Sequence, residues 1–382
     1  MLLEIHMLKN YPATNLNRDD MGAPKSCMFG GVQRARISSQ CLKRSWRISP
    51  VFQNELAGHL GVRTRKMPKL VKDKLMEMGV SEDFALAAEK KLTGFANKAG
   101  KERDDGITSQ IAIYSPEDIE AIADVVKAKI EEVKDIKAFN KLKATDIEKE
   151  VTGAGVRPIS LDIALFGRMV TSPAFANVEA SMQVAHAFST NRVMMESDFF
   201  VAMDDMIDGH EELGAGMMDT VDYNSSCYYI YASLDTDKLL ANLKNDENPK
   251  ALVKAVIPSL LRTMAYSNPS GKQNSFAGNV LPSAVLVEGK EYPVPVSYAN
   301  AFVKPARAFQ SVDLVQDSIE KLQEQVLATE RAFPSLAGAK RAWFNASGDT
   351  SEKEQAFCAN ERVQTAKNFD ALIEAVCDWT QE

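Results

Sequence analysis

Between Asn15 and Arg47 the chain reads NLNRDDMGAPKSCMFGGVQRARISSQCLKRSWR, with seven cations (Arg18, Lys25, Arg34, Arg36, Lys43, Arg44, Arg47) against two acids, Asp19 and Asp20. The chemistry such a run offers is the neutralisation of phosphate. Its end has a readable geometry. Ser38 or Ser39 suits a helix N-cap, and helical spacing from there puts Gln40, Lys43, Arg44 and Arg47 on one face. Cys41, Leu42, Ser45, Trp46 and Ile48 share the other face. One side can pack while the other presents three cations and an amide, and the helix start adds free N–H groups suited to an anion. A solvated basic face without a ligand has the same pattern. No acid is interleaved on this helix, which favours nucleic acid.

Other chemistries find less support. Asp19 and Asp20 beside Arg18 could hold a metal or act as an acid/base pair, or simply order their loop. Asp204 and Asp205 allow the same two readings. His6, His59, His186 and His210 lack metal-ligand spacing, and His186 is expected in an apolar helix as a core residue. Lys272 in PSGKQNS is not a phosphate-binding P-loop lysine, because Tyr266 stands where the first glycine belongs and Gln273 follows. A polar loop in which Lys272 touches phosphate or a neighbouring subunit remains open, beside a plain solvated loop. No nucleophile elbow is present. Arg168 and Met169 end an apolar segment; there a Met can slide between bases while the cation meets phosphate, or can simply fill a core.

The elements that must position these residues read as follows. Leu3, Ile5 and Met7 alternate with Glu4 and His6, which predicts a first strand with one buried face. A Pro/Gly loop and the basic helix near 39–49 follow. Residues 55–150 turn charged and helical, with Ser115-Pro116-Glu117-Asp118 as a strong helix start. Strand character is expected at 159–170, a small helix at 178–188, and strands near 194–204 and 222–234 joined by a Gly/Met-rich connector. Then come helix over 236–265, a polar loop at 267–279, strands near 283–297, and helices near 314–331 and 361–380.

Charge is unevenly placed. The net charge of −7 divides into +9 over residues 1–72 (13 Lys+Arg, 4 Asp+Glu) and −16 over the remainder, a basic sector on an acidic body. Five scattered cysteines without a CxxC pair argue against a disulfide framework or zinc site and fit a reducing cytoplasm. No secretory leader is read in MLLEIHMLKNYP, and no apolar run approaches the roughly 20 residues that span a bilayer. No cofactor is expected.

Several segments together resemble one family. They are LNRDDMGAPK, MFGGVQRARISSQCLKRSWR, SLDIALFGRMVTS, MQVAHAFSTNRV and DFFVAMDD, in the order and at spacings compatible with the CasC backbone subunits of type I-E CRISPR surveillance complexes (Cascade), within the Cas-seven superfamily. The resemblance implies an α+β fold: a modified RRM-like (ferredoxin-like) antiparallel sheet as palm, a helical finger insertion, and a projecting thumb hairpin. Laid on this chain, it implies palm over 1–54, finger over 55–150, and palm again over 151–382 with the thumb at about 194–224. It implies a non-enzymatic scaffold whose copies stack head to tail along CRISPR RNA, presenting bases to target DNA in segments with one nucleotide displaced at each thumb. The other Cascade subunits (CasA, CasB, CasD, CasE) would be partners, with no membrane role. By this resemblance Ser38, Ser39, Gln40, Lys43, Arg44 and Arg47 match a backbone-binding segment, and Arg168 with Met169 a position near the kinked base. Related subunits of type III complexes cut RNA with a loop aspartate, so an RNA endonuclease using Asp19 or Asp20 is the competing expectation.

Overall fold

The computed structural model describes residues 1–95, 97, 100–202, 217–336, 340–348 and 351–380. It is an α+β protein that divides into two compact units, one of residues 1–52, 183–234 and 257–382, the other of 53–182 and 235–256. The helical unit therefore runs past 150, the limit expected from sequence, and includes a second short segment.

The first unit is built on a mostly antiparallel sheet. Its strands are β1 (Leu2–Thr14), β2 (Ser26–Phe29), β3 (Val32–Ile37), β7 (Ala187–Ser189), β9 (Met217–Asp235), β10 (Ala284–Lys290), β11 (Lys340–Asn345) and β12 (Val363–Thr365). Across the sheet the order is β12-β11-β10-β1-β9-β7-β3-β2, with β6 (Met182–Val184) and β8 (Glu196–Ala202) pairing β9 off this path. Only the β11–β12 pair in this order is parallel among those whose register is defined. One core on this sheet joins Leu8, Tyr229, Leu286 and Trp343 with Ile319, Leu322 and Val326 of the helix Leu314–Ala332.

The expectation of a one-sided first strand is corrected. Glu4 and His6 are as buried as Leu3 and Ile5. Burying charge requires partners, and these are present. Tyr231 and Lys290 meet Glu4, His6 Nδ1 meets Tyr229 Oη at 2.8 Å, and Arg341 Nε donates to Glu288 at 2.7 Å. Arg341 Nη1 also donates to Glu330 at 2.6 Å.

The second unit is largely helical. The helices Met67–Glu77, Glu82–Leu92, Pro116–Val133, Ile136–Lys141 and Ala144–Gly153 enclose Val71, Leu92, Ile122, Val126, Phe139 and Ile147, beside a small hairpin of β4 (Val62–Thr64) and β5 (Ala112–Tyr114). The predicted start at Ser115 is present as a capping box, the Ser115 N–H donating to Asp118 Oδ2 at 3.1 Å.

Two local readings are overturned. Residues 159–170 hold a short helix, Leu161–Phe166, after Ser160, rather than a strand. Residues 178–188 carry β6 and β7 instead of a helix. Apolar runs this short do not distinguish the two by periodicity. The expected hairpin pairs β8 with β9 from Glu196↔Tyr223 to Ala202↔Met217. Its connector, with Asp204, Asp205 and His210, lies outside the described residues.

Candidate nucleic-acid interface

The helix predicted from sequence is α1, Ser39–Arg47. Ser38 sits in extended backbone and its Oγ accepts the Cys41 N–H at 3.2 Å, which satisfies one amide left free at a helix start. The Ser38 N–H in turn donates to Asn17 Oδ1 at 2.9 Å, tying the loop that carries Arg18 and Lys25 to the helix. Leu42 and Trp46 are buried, Gln40 and Arg44 are exposed, and Lys43 and Arg47 are half-buried. Partial burial lowers the Lys43 pKa, a cost offset when the ammonium meets an anion. No acid enters the first turn, so the positive helix end is not neutralised from within.

The turn Gly30–Gly31 closes the β2–β3 hairpin, both glycines at positive φ (60° and 74°), and β3 leads directly into Ser38. That places Lys25 and Arg36 beside α1. Arg36 Nη1 meets His186 Nδ1 at 2.9 Å, and because a guanidinium only donates, Nδ1 is the acceptor. Burial, then the charges of Arg36 and Lys25, lower the His186 pKa. Burial raises the Cys41 pKa, opposed by Ser45 and by the charges of Lys25 and Arg44. Lys25, Arg36 and Arg44 thus share one patch. His186 is exposed on it, which corrects its assignment to an apolar core.

Arg18 is exposed and bridges Pro24 across its loop. Asp19 Oδ1 accepts the N–H groups of Met21 and Ala23, each at 3.0 Å, so this carboxylate orders the turn. Among the described residues no group of three or more His, Cys, Asp or Glu side chains could hold a metal ion. Lys272 adopts left-handed backbone (φ 50°) before the short helix Gln273–Phe276. Its loop packs on the basic loop: a Cβ on Gly271 would lie 2.3 Å from the Leu16 carbonyl oxygen. The structure so brings Lys272 to the base of the segment carrying Arg18 and Lys25.

Two candidate residues are corrected. Arg34 is fully buried, with Nη1 donating to the carbonyls of Ser189 (3.1 Å) and Thr190 (2.6 Å) and Nη2 to that of Phe302 (2.6 Å). Its charge holds the fold and is not offered to phosphate. In the helical unit, Arg168 is also buried, Nη1 donating to Asp118 Oδ2 at 2.5 Å and Nε to the Ala176 carbonyl at 3.1 Å. Successive side chains in extended backbone point opposite ways, and Met169 is 85% exposed. Only the methionine of that pair is free to meet a ligand.

Sequence reasoning passed over Asn17 and misplaced His186. An asparagine in a Pro/Gly loop just before a capped helix is a recognisable positioning signal. Nothing local marks His186.

A family model described as CT1975-like protein matches residues 3–375. A chain of a solved structure described as "CRISPR RNA-guided surveillance complex, pre-nicking" is 26% identical, with all of both chains covered and a TM-score of 0.82. A second, described as "CRISPR RNA-guided surveillance complex", is 23% identical over 99% of this chain and 100% of that one, with a TM-score of 0.72, and supports the fold alone. No curated protein matches the chain.

Proposed function

The chain belongs to the CT1975-like protein family, and on that premise we propose that it is a guide-RNA-binding backbone subunit of the Cas-seven type in a CRISPR surveillance complex. The observation that carries this reading is the basic face of α1 with Lys25 and Arg36 at its side, assembled on a sheet in which Glu4, Lys290, Glu288 and Arg341 are buried and paired with one another. Contacts of this kind grip a phosphate backbone without reading bases. Any guide can then be loaded, and specificity passes to base pairing with the target.

The finer reading is a type I-E, CasC-like subunit of Cascade. Its copies polymerise head to tail along the spacer, since a repeated interface that does not close makes an open helix. CasA, CasB, CasD and CasE are the proposed partners, target DNA is met through the guide, and the cytoplasm is the proposed location. The sheet unit acts as an RRM-like palm, the helical unit as finger, and the β8–β9 hairpin as thumb, with Met169 near a displaced base. Among the described residues no helix is long and apolar enough to cross a membrane.

The role is structural rather than catalytic. Asp19, a candidate of the competing nuclease reading, is engaged by two backbone amides of its own turn. The test is to isolate the protein from its host and sequence the RNA that accompanies it. Repeat-flanked guides support the proposal, and an RNA population matching bulk cellular RNA overturns it.

A further inference from the structure

Away from the α1 patch, the sheet unit holds a cleft of 660 Å³ lined by Arg192, Lys304, Arg307 and Lys321. None of the described lining residues is a carboxylate. We propose that this cleft is a second subsite for single-stranded nucleic acid, taking one nucleotide with its phosphate on Arg192, Lys304 and Arg307 and its base against Phe309. It rests on the reading of the chain as an RNA-binding protein and adds a place that the α1 patch does not supply.

The walls are fixed by backbone. Asn191 forms a parallel bridge with Ala306, whose N–H donates to the Thr190 carbonyl at 2.8 Å. The Val193 N–H donates to Gln33 at 3.0 Å, so Arg192 is held against β3. The other wall is the start of the helix Leu314–Ala332, whose Leu314 and Lys321 line the cleft. Asp317 on that helix is already engaged. It accepts the Arg307 backbone N–H at 2.9 Å and pairs with Lys321 at 3.6 Å. Among the described residues Arg192, Lys304 and Arg307 have no ion pair, and all three are exposed. Three unpaired cations converging on one concavity make a seat for an anion.

What distinguishes the anion is the neighbouring ring. The Arg307 guanidinium lies over Phe309, 5.5 Å from the centroid, and the ring is still 60% exposed. A tight turn, Phe309↔Val312 with Gln310 at φ 54°, holds it out from the surface. An exposed aromatic beside cations is the combination that binds single strands, through base stacking and backbone charge together.

The position is consistent with a continuous path. A Cβ on Gly30 would meet the Val303 carbonyl oxygen at 2.3 Å, so the cleft segment abuts the turn of the β2–β3 hairpin while Arg36 lies toward its other end. The intervening strand is about 13 Å long. The occupant is either the guide RNA or a DNA strand, which share this chemistry.

The test uses the full chain with fluorescent oligouridine and oligothymidine. Arg192→Glu with Lys304→Glu should lower the steepness of the log–log salt dependence by roughly 1.4. Phe309→Ala should weaken binding about fivefold or more without changing that slope, and Phe309→Trp should restore it. These side chains are exposed, so the fold is unaffected and circular dichroism checks it. A loss confined to oligouridine assigns the subsite to RNA, and one confined to oligothymidine assigns it to DNA. If these variants bind both probes as wild type does while Lys43→Glu with Arg47→Glu binds weakly, the subsite is wrong and the RNA-binding reading stands. If the α1 variant also binds as wild type, both fall.

Discussion

Arg34 donates through Nη1 to the Thr190 carbonyl at 2.6 Å in a site without solvent exposure, while Arg36, two residues on along the same strand, reaches His186 at the surface. The two arginines share a face of β3 but have different work. Arg34→Met removes the guanidinium that donates to the carbonyls of Ser189, Thr190 and Phe302, leaving Thr190 with the Ala306 N–H alone. It should cost at least about 3 kcal/mol of stability in denaturant unfolding. RNA affinity and its salt slope, measured well below the melting point, should not change. A stable variant with a flattened slope would return Arg34 to the binding surface.

The α1 face makes the opposite prediction. Lys43→Glu with Arg47→Glu should weaken binding to all RNA sequences alike and reduce the salt slope by roughly 1.4, about 0.7 for each phosphate contact. Fluorescence anisotropy across a salt series reads both numbers. Loss restricted to particular sequences would mean base readout and contradict a backbone grip.

The β8–β9 hairpin exposes Phe199 (62%), Val201 (43%) and Met218 (65%) on one face. Apolar side chains grouped this way serve a contact between molecules. Phe199→Ser with Met218→Ser should change stability by no more than about 0.5 kcal/mol. It should impair ordered assembly on guide RNA, seen as a lost periodic nuclease footprint. An unchanged footprint removes the thumb assignment.

Glu288 carries the pH prediction. Burial alone would raise its pKa, but hydrogen bonding to His6 and the charges of His6, Arg341 and Lys290 prevail and bring it down from 4.5 to about 2. A carboxylate held below its unfolded value stabilises the fold above pH 4.5, and that contribution is lost as pH falls toward 2. The shift corresponds to roughly 3 kcal/mol. Glu288→Gln should lower the melting temperature at neutral pH and flatten its dependence on pH across this window. A variant that still loses stability as steeply as wild type there would place the acid sensitivity elsewhere.

Wild-type protein with labelled RNA and Mg²⁺ should give no cleavage products on a denaturing gel. Asp19→Ala removes the acceptor for the Met21 and Ala23 amides and should loosen the loop, weakening RNA binding modestly. Mg²⁺-dependent cutting by wild type that Asp19→Ala or Asp20→Ala abolishes would favour the nuclease reading.

What the sequence by itself determined is local. Ser38 as cap, Leu42 and Trp46 inward, and Gln40 and Arg44 outward follow from spacing within one helix, where each side chain's direction is set by its neighbours in the chain. The Ser115 start and the β8–β9 pairing were legible for the same reason, and the quoted segments carried the resemblance as far as a CRISPR surveillance-complex subunit of the Cas-seven type. What only the tertiary structure decided is which charges are spent. Arg34 and Arg36 have the same periodicity, but the carbonyls of residues 189, 190 and 302 close over one and not the other. Glu4 and His6 alternate like solvent-facing residues, yet Tyr231, Lys290 and Glu288 meet them inside. Arg192, Lys304 and Arg307 come from segments more than a hundred residues apart and share a cleft only once Asn191 bridges Ala306. Burial of a charge depends on partners distant in sequence, and no local pattern encodes them.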